Sequence, residues 1–405
     1  MRIAMFSDNF YPELSGISDS IIYTAKELAK SGHQIDFYVP RYSKNDFHKF
    51  NVPHQELNLG ENISIRRIFS LQYPSPTQQA RMVIPTFLKS LALRKKRPDV
   101  IHTHLFFGVG MEGMIASKIL GIPLVGTSHT PLSEFMRYSL WGRNLFQKSC
   151  LKFVSWYYNQ CDFVTAPSGG ILKEMEIYNF KRPSKVVSNP IDPDKFYPSS
   201  SKKKSQLKKS FKLSDFTVIY TGRLAEEKHV DVILKAVALA KKRIPSVTLA
   251  ITGHGAAEES LKILVKELGI SGNVRFFGTL SIDDHADIYR AADVFAIAST
   301  AETQSLSLIK AMATGLPVIG VNARALPEYI NRENGFLVET GDFESMAKKI
   351  VLLHKDEELR ESLGKGGLEY VRQFSLDNIA KQWDSIYREI ITAFNNLKSD
   401  ESRKI

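Results

Sequence analysis

The stretch Ser299–Val321, reading STAETQSLSLIKAMATGLPVIGV, contains the residues whose types and spacing bear most directly on chemistry. Its polar loop leads into a helix expected to start near Ser305, with Leu308, Ile309 and Met312 on one apolar face. A helix start, here at Ser305 and Leu306, offers free backbone N–H groups and the positive end of the helix dipole, which suit a phosphate. Glu302 in the loop can accept hydrogen bonds from the hydroxyls of a sugar beside that phosphate. Gly315 is placed to end the helix in a left-handed conformation, and Pro317 prevents its continuation. In the first half, Tyr11 and Gly16 lie in the loop after the first strand-like run. Gly16 precedes a helix beginning near Ser18, so its backbone could approach a diphosphate. His102 and His104 alternate like metal ligands, but no third Cys, His or carboxylate stands at supporting spacing. They read as strand-end structure or as the lining of an acceptor site. His129 closes the next strand in Thr127-Ser128-His129-Thr130, where a lone histidine is ordinarily a satisfied polar residue.

The elements that must position these residues alternate. Ile3–Ser7, Ile35–Val39, Ile63–Phe69, Val100–His104, Leu124–Thr127 and Phe163–Ala166 read as strands. Ser18–Lys30, Gln79–Lys96, Val109–Leu120 and Leu145–Asn159 read as helices between them. A second alternation runs through Thr217–Thr221, Val247–Thr252, Val274–Phe277, Val294–Ile297 and Val318–Val321. Such alternation predicts α/β units with parallel sheets and ligands at the carboxyl ends of the strands. Ser375–Lys398 reads as a long closing helix.

At 405 residues the chain is long enough for two or three domains, and 43% hydrophobic residues can fill large cores. The formal charge of +11 permits nucleotide-phosphate, anionic-membrane or nucleic-acid partners. No recognised nucleic-acid-binding module is present, so nucleic acid is not expected. The two cysteines, Cys150 and Cys161, have neither disulfide nor metal spacing, which fits a reduced cytosolic setting. Met1-Arg2 runs straight into a strand without a signal-peptide layout, and no apolar run approaches the ~18 residues of a membrane span. Membrane contact is therefore expected to be peripheral.

The signature stretch resembles that of family-four retaining glycosyltransferases of the GT-B fold, the group 1 glycosyltransferases. In that pattern a Glu, seven residues and a second Glu precede Ala-Met-Ala-x-Gly-x-Pro-Val; here Glu302, Ala311-Met312-Ala313 and Gly315-Leu316-Pro317-Val318 match, and Lys310 replaces the second Glu. The Glu302-Thr303-Gln304 variant is similar to that of bacterial diacylglycerol glucosyltransferases. Gly222-Arg223-Leu224-Ala225-Glu226-Glu227-Lys228 resembles the segment whose Arg and Lys hold the donor diphosphate. Two fixed cations there would offset the charge developing on a departing nucleotide diphosphate. Gly253 falls where relatives have Gly-Asp/Glu-Gly-Pro against the nucleotide, with His254 as a departure, and Phe277 falls where relatives border the nucleobase. Gly16 matches a glycine loop facing the donor, and His129 matches the histidine beside the transferred sugar. Ser188-Asn189-Pro190-Ile191-Asp192 resembles the family hinge. Asp192-Pro193-Asp194 mimics a metal motif of another glycosyltransferase fold, but has no further ligands.

The resemblance implies two Rossmann-like domains facing a cleft, with the last helix crossing back to the first domain. Residues 1–188 would bind the acceptor, 189–212 would form a hinge and basic linker, and 213–374 would bind the nucleotide sugar. It implies retaining hexosyl transfer without a metal or other cofactor. The expected co-substrate is a nucleotide sugar, with UDP-glucose favoured and GDP-mannose the alternative. The expected donor-site residues are Gly16, Arg223, Lys228, Gly253, Phe277, Glu302, Ser305, Leu306 and Lys310, with His129, Glu302, Arg223 and Lys228 closest to the chemistry. Tyr11, His104 and His129 are the acceptor-side candidates. A lipid acceptor such as diacylglycerol at the cytoplasmic face is favoured by the Glu-Thr-Gln variant and by two basic, partly aromatic stretches. These hold Arg94, Lys95, Lys96 and Arg97, then Trp141, Lys148 and Lys152. The alternatives are a soluble sugar or polysaccharide acceptor, and a catalytically impaired nucleotide-sugar-binding protein, because a Lys at 310 cannot accept ribose hydrogen bonds.

Overall fold

Each strand-like run becomes a strand in the computed structural model, which describes residues 1–13, 16–49, 52–72, 81–86, 93–129 and 145–402. The chain forms two compact units, Met1–Pro190 with Leu376–Ile405, and Ile191–Ser375.

In the first unit the strands are β1 (Arg2–Ser7), β2 (Gln34–Pro40), β3 (Ile63–Ile68), β4 (Leu71–Gln72), β5 (Arg81–Met82), β6 (Val100–His104), β7 (Leu124–Thr127), β8 (Phe163–Ala166) and β9 (Ser184–Val186). Seven of them form a parallel sheet in the order β3-β2-β1-β6-β7-β8-β9. Ile3, Ala4, Met5 and Phe6 are all buried, as expected for a central strand covered on both faces by helices. Strand order reverses between β1 and β6, where Ser7 stands beside His104. A crevice opens at such a reversal, so that is where a parallel sheet places ligands.

The closing helix, Leu376–Ser402, packs on Gly16–Lys30 and so belongs to the first unit. Its Trp383 and Tyr387 are buried, and its Lys398 donates to the Gly121 carbonyl at 2.7 Å. The expected helix Gln79–Lys96 is not continuous. Arg81–Met82 pairs antiparallel with Leu71–Gln72 instead. Pro85 lies in the middle of that run and removes a helical donor, so an apolar spacing that suits a helix is overridden. Residues 73–80 and 87–92 lie outside the described residues.

In the second unit the strands are β10 (Thr217–Thr221), β11 (Thr248–Thr252), β12 (Val274–Gly278), β13 (Val294–Ile297), β14 (Val318–Val321) and β15 (Gly335–Val338). They pair in parallel in the order β12-β11-β10-β13-β14-β15, with the reversal between β10 and β13. The Ser/Lys-rich stretch is a helix of this unit, Ser201–Ser210, packed against Ile282–Ala291. Lys204 and Lys208 lie 2.8 and 2.5 Å from the two carboxylate oxygens of buried Asp293. Two of its cations are thus spent on a structural carboxylate.

Candidate active site

At the reversal of the second sheet, the loops after β10 and β13 carry the charged residues singled out in the sequence. Gly222 has φ +152°, and a Cβ on Gly253 would lie 2.1 Å from the Gly222 carbonyl oxygen. The β10 and β11 ends can approach only because both are glycine. Gly253, at φ +111°, donates to the Gly278 carbonyl at 2.7 Å, which draws the end of β12 into the same cluster. Phe277 stands there, partly buried, with its ring against Phe211 at 5.8 Å. His254 accounts for part of its own departure from the family pattern: its ring packs over Gly278, and Nδ1 lies 2.8 Å from Glu258.

Lys228 and Glu302 meet here. The ammonium donates to Glu302 Oε1 at 2.7 Å, and both side chains are mostly buried. Arg223 is half-exposed and donates to Oε1 of buried Glu227 at 2.8 Å. The Glu227 carbonyl accepts from the Thr300 amide at 3.1 Å, and His229 Nε2 lies 3.2 Å from the Thr300 hydroxyl. These contacts tie the turn after β10 to the loop after β13.

The signature helix runs Leu306–Ala313, with Ser305 as its N-cap accepting from the Leu308 amide at 3.3 Å. The amides of Leu306 and Ser307 have no partner inside the helix by its geometry and mark its positive end. At the far end Gly315, at φ +77°, and the Leu316 amide, which donates to the Ala311 carbonyl at 3.0 Å, close the helix as expected. Lys310 places its ammonium 5.1 Å from the centre of the Phe196 ring. It also lies near His285, whose ring is held neutral, its pKa lowered to about 3 by burial first and by the Lys310 charge second. His285 Nε2 is 3.1 Å from the Thr221 hydroxyl, which accepts from Tyr289 at 3.1 Å.

At the reversal of the first sheet the three histidines come together. His102 Nε2 lies 2.7 Å from the Thr127 hydroxyl and Nδ1 lies 2.7 Å from the Tyr387 hydroxyl. His104 Nδ1 lies 3.1 Å from His129 Nε2. Burial holds all three rings neutral, with His129 lowered to about 4. Sequence reasoning saw only an alternating pair and a separate histidine; their union follows from the pairing of β6 with β7. No group of three His, Cys, Asp or Glu side chains able to hold a metal forms among the described residues. Asp192 instead accepts from the Asp194 amide at 3.1 Å, an ordinary turn.

Gly16 is the first residue of its helix and is exposed. Asp8, just after β1, was not singled out in the sequence. Its carboxylate accepts from the amides of Val109 and Gly110 at 2.8 and 3.2 Å, capping the helix Gly108–Leu120, and burial raises its pKa to about 7. Tyr11 donates to the Pro53 carbonyl at 3.3 Å. Arg94, Lys95 and Lys96 are exposed. Arg97 donates to the carbonyls of Leu120 and Gly121 at 2.8 and 3.2 Å, closing that helix instead of standing free. Lys152 is exposed beside Phe153 and Trp156, whose rings stack 5.6 Å apart. Trp141 and the side chain of Lys148 lie outside the described residues.

Two Rossmann-type units, one bearing a cationic loop and a helix start at its strand-order reversal, define the GT-B class of sugar-transferring proteins. The profile of "Glycosyl transferases group 1" matches residues 201–370, and that of "Glycosyltransferase Family 4" matches residues 14–195. The chain belongs to these family-four, group 1 glycosyltransferases. It is 27% identical to the alpha-monoglucosyldiacylglycerol synthase of Streptococcus pneumoniae, over 99% of this chain and 88% of that protein. It is 26% identical to the D-inositol 3-phosphate glycosyltransferase of Corynebacterium glutamicum, over 98% of each. In three dimensions it is similar to HepE of Anabaena, solved in complex with UDP, with a TM-score of 0.76 and 20% identity over 96% of this chain and 100% of that one.

Proposed function

We propose that this glycosyltransferase moves a hexose, glucose first, from a nucleotide sugar to a membrane lipid such as diacylglycerol, with retention at the anomeric carbon. The observation that carries the donor side is the Lys228–Glu302 pair at the reversal of the second sheet, with Arg223 on the adjoining turn. Arg223 and Lys228 take the diphosphate, the Leu306 amide at the helix start takes a phosphate oxygen, and Glu302 takes sugar hydroxyls. Gly253 and Phe277 border the nucleoside. As the bond from the anomeric carbon to the phosphate oxygen breaks, negative charge grows on the leaving group, and fixed cations stabilise it more than they stabilise the intact donor. The acceptor hydroxyl attacks from the same face, and its proton passes to the departing phosphate.

The first unit takes the acceptor, with His129, after β7, among its acceptor-side residues. The lipid reading is supported by the full-length likeness to a protein named as a glucosyldiacylglycerol synthase. It is supported also by the exposed Lys152, Phe153 and Trp156, and by the exposed Arg94, Lys95 and Lys96. Basic and aromatic side chains together suit an anionic lipid interface. No helix among the described residues is long and apolar enough to cross a membrane, and we place the protein at the cytoplasmic face as a peripheral enzyme. A soluble acceptor is the competing reading, because the corynebacterial relative is named for an inositol phosphate.

Radiolabelled UDP-glucose, UDP-galactose, UDP-GlcNAc and GDP-mannose, each offered with diacylglycerol in anionic vesicles or with soluble sugars, test this. The proposal expects label in the organic phase with UDP-glucose. Label confined to a water-soluble product overturns the lipid assignment.

A further inference from the structure

We infer that His104 is a positioning residue that fixes His129 as a neutral hydrogen-bond donor through Nδ1, with His129 Nε2 left as an acceptor. The inference deepens the proposed function and rests on its reading of His129 as an acceptor-side residue.

His104 Nδ1 and His129 Nε2 are 3.1 Å apart, so between two neutral rings one nitrogen carries the proton and the other receives it. Which one is decided by the remaining nitrogen of His104. His104 is nine-tenths buried, and its Nε2 has no partner among the described residues. A proton on Nε2 would leave a buried N–H donor unsatisfied; a bare Nε2 leaves only an unused acceptor lone pair, and orphaned buried donors are the rarer of the two. His104 therefore carries its proton on Nδ1 and donates it to His129 Nε2. His129, which has one proton when neutral, must then carry it on Nδ1.

The His104 ring is itself held. It lies 3.9 Å, centre to centre, from His102, whose two nitrogens are taken by the hydroxyls of Thr127 and Tyr387. Trp383 packs on the other ring of this pair, His102, at 4.6 Å. Thus the closing helix, through Tyr387 and Trp383, reaches His129 by way of two histidines. A neutral Nδ1–H donor can hold a hydroxyl or ring oxygen of a sugar, and it has no free lone pair to remove the acceptor's proton. The arrangement assigns His129 to orientation and leaves proton removal to another group.

The full chain, labelled with nitrogen-15 in its histidines, reports the tautomers directly by long-range proton–nitrogen NMR. The expected spectrum has protonated, pyrrole-type Nδ1 and bare, pyridine-type Nε2 in both His104 and His129, each assigned from the signals lost in His104→Asn and His129→Asn. A protonated Nε2 in either ring overturns the inference. Transfer kinetics supply the second arm. His104→Asn keeps an N–H at the Nδ1 position and is expected to hold kcat within about twofold, whereas His104→Leu lowers it roughly two- to tenfold, the loss of one hydrogen bond. Equal loss in Asn and Leu variants of unchanged melting temperature overturns the positioning role. Unchanged kcat in His129→Ala overturns the reading on which the role rests, and is told apart because the wild-type tautomers do not depend on activity.

Discussion

Arg223 approaches the candidate donor site already paired with Glu227, and a nucleotide diphosphate would share its guanidinium with that carboxylate. Arg223→Ala should therefore weaken nucleotide-sugar binding roughly tenfold, as expected for one charge-assisted contact of ~1.5–3 kcal/mol, and calorimetric titration with UDP-glucose checks it. Unchanged affinity would remove Arg223 from the site. Lys310 carries a sharper question, since a lysine cannot accept the ribose hydrogen bonds that the family's second Glu accepts. Glu302 is engaged by Lys228, and Lys310 lies over Phe196 and near His285. Wild-type enzyme should thus transfer sugar without Lys310→Glu, and radiolabel appearing only with the variant would show that the natural chain is impaired. The residue types were legible in the sequence, because Arg223, Lys228 and Glu302 each follow a strand. Their pairing was not: Lys228 and Glu302 are 74 residues apart, and only the adjacency of β10 and β13 joins them. His102 reads in the sequence as strand-end structure or acceptor-site lining, but its partners, Tyr387, 285 positions away, and Thr127, appear only in the fold.

The strand ends set the tolerance of the site to change. Gly253→Ala would set a methyl group 2.1 Å from the Gly222 carbonyl oxygen at a φ that side chains avoid, and is expected to cost about 1–3 kcal/mol of stability. A lower urea midpoint with an unchanged slope is the expected result. The helix Ile282–Ala291 contributes a pH dependence through His285. Its folded pKa is depressed, by burial and then Lys310, to about 3, below the ordinary histidine value of 6.5. The unfolded chain therefore binds the proton first. His285's contribution is fully present above about pH 6.5 and is lost as pH falls below it, by at most ~1.4 kcal/mol per pH unit. Lys310→Glu should raise the His285 pKa and so narrow the pH range over which that stability is lost, readable as a smaller fall in melting temperature between pH 6.5 and 4. An unchanged fall would show that the Lys310 charge does not reach the ring. Elements with strong apolar runs were legible. β9 and β15 were not anticipated: Ser184, Lys185 and Val186 are exposed and carry no burial pattern, and the other strand is four residues long and opens on Gly335. The run at 79–96 misled because its helical spacing concealed Pro85.

At the scale of the whole molecule the excess of +11 charges favours anionic surfaces over neutral ones. Each Lys or Arg near an anionic bilayer adds about 1 kcal/mol, so Arg94, Lys95 and Lys96 with Lys152 could hold the protein there reversibly. The triple change of Arg94, Lys95 and Lys96 to Ser should abolish most cosedimentation with anionic vesicles at low salt, with little effect on transfer to a dispersed acceptor. Equal sedimentation with neutral and anionic vesicles would refute an electrostatic membrane surface. The overall class was legible from the alternation and the signature together, whereas the acceptor was not, because no residue pattern in the first unit encodes one acceptor chemistry.

If the reversal of the second sheet holds the donor, as proposed, the initial rate of labelled glucose transfer from UDP-glucose must differ between the wild type and Lys228→Ala. Removing the ammonium bonded to Glu302 is expected to lower kcat/KM roughly ten- to hundredfold while the protein keeps its fold by circular dichroism. Equal rates in the two folded proteins would remove Lys228 and its loop from the donor site.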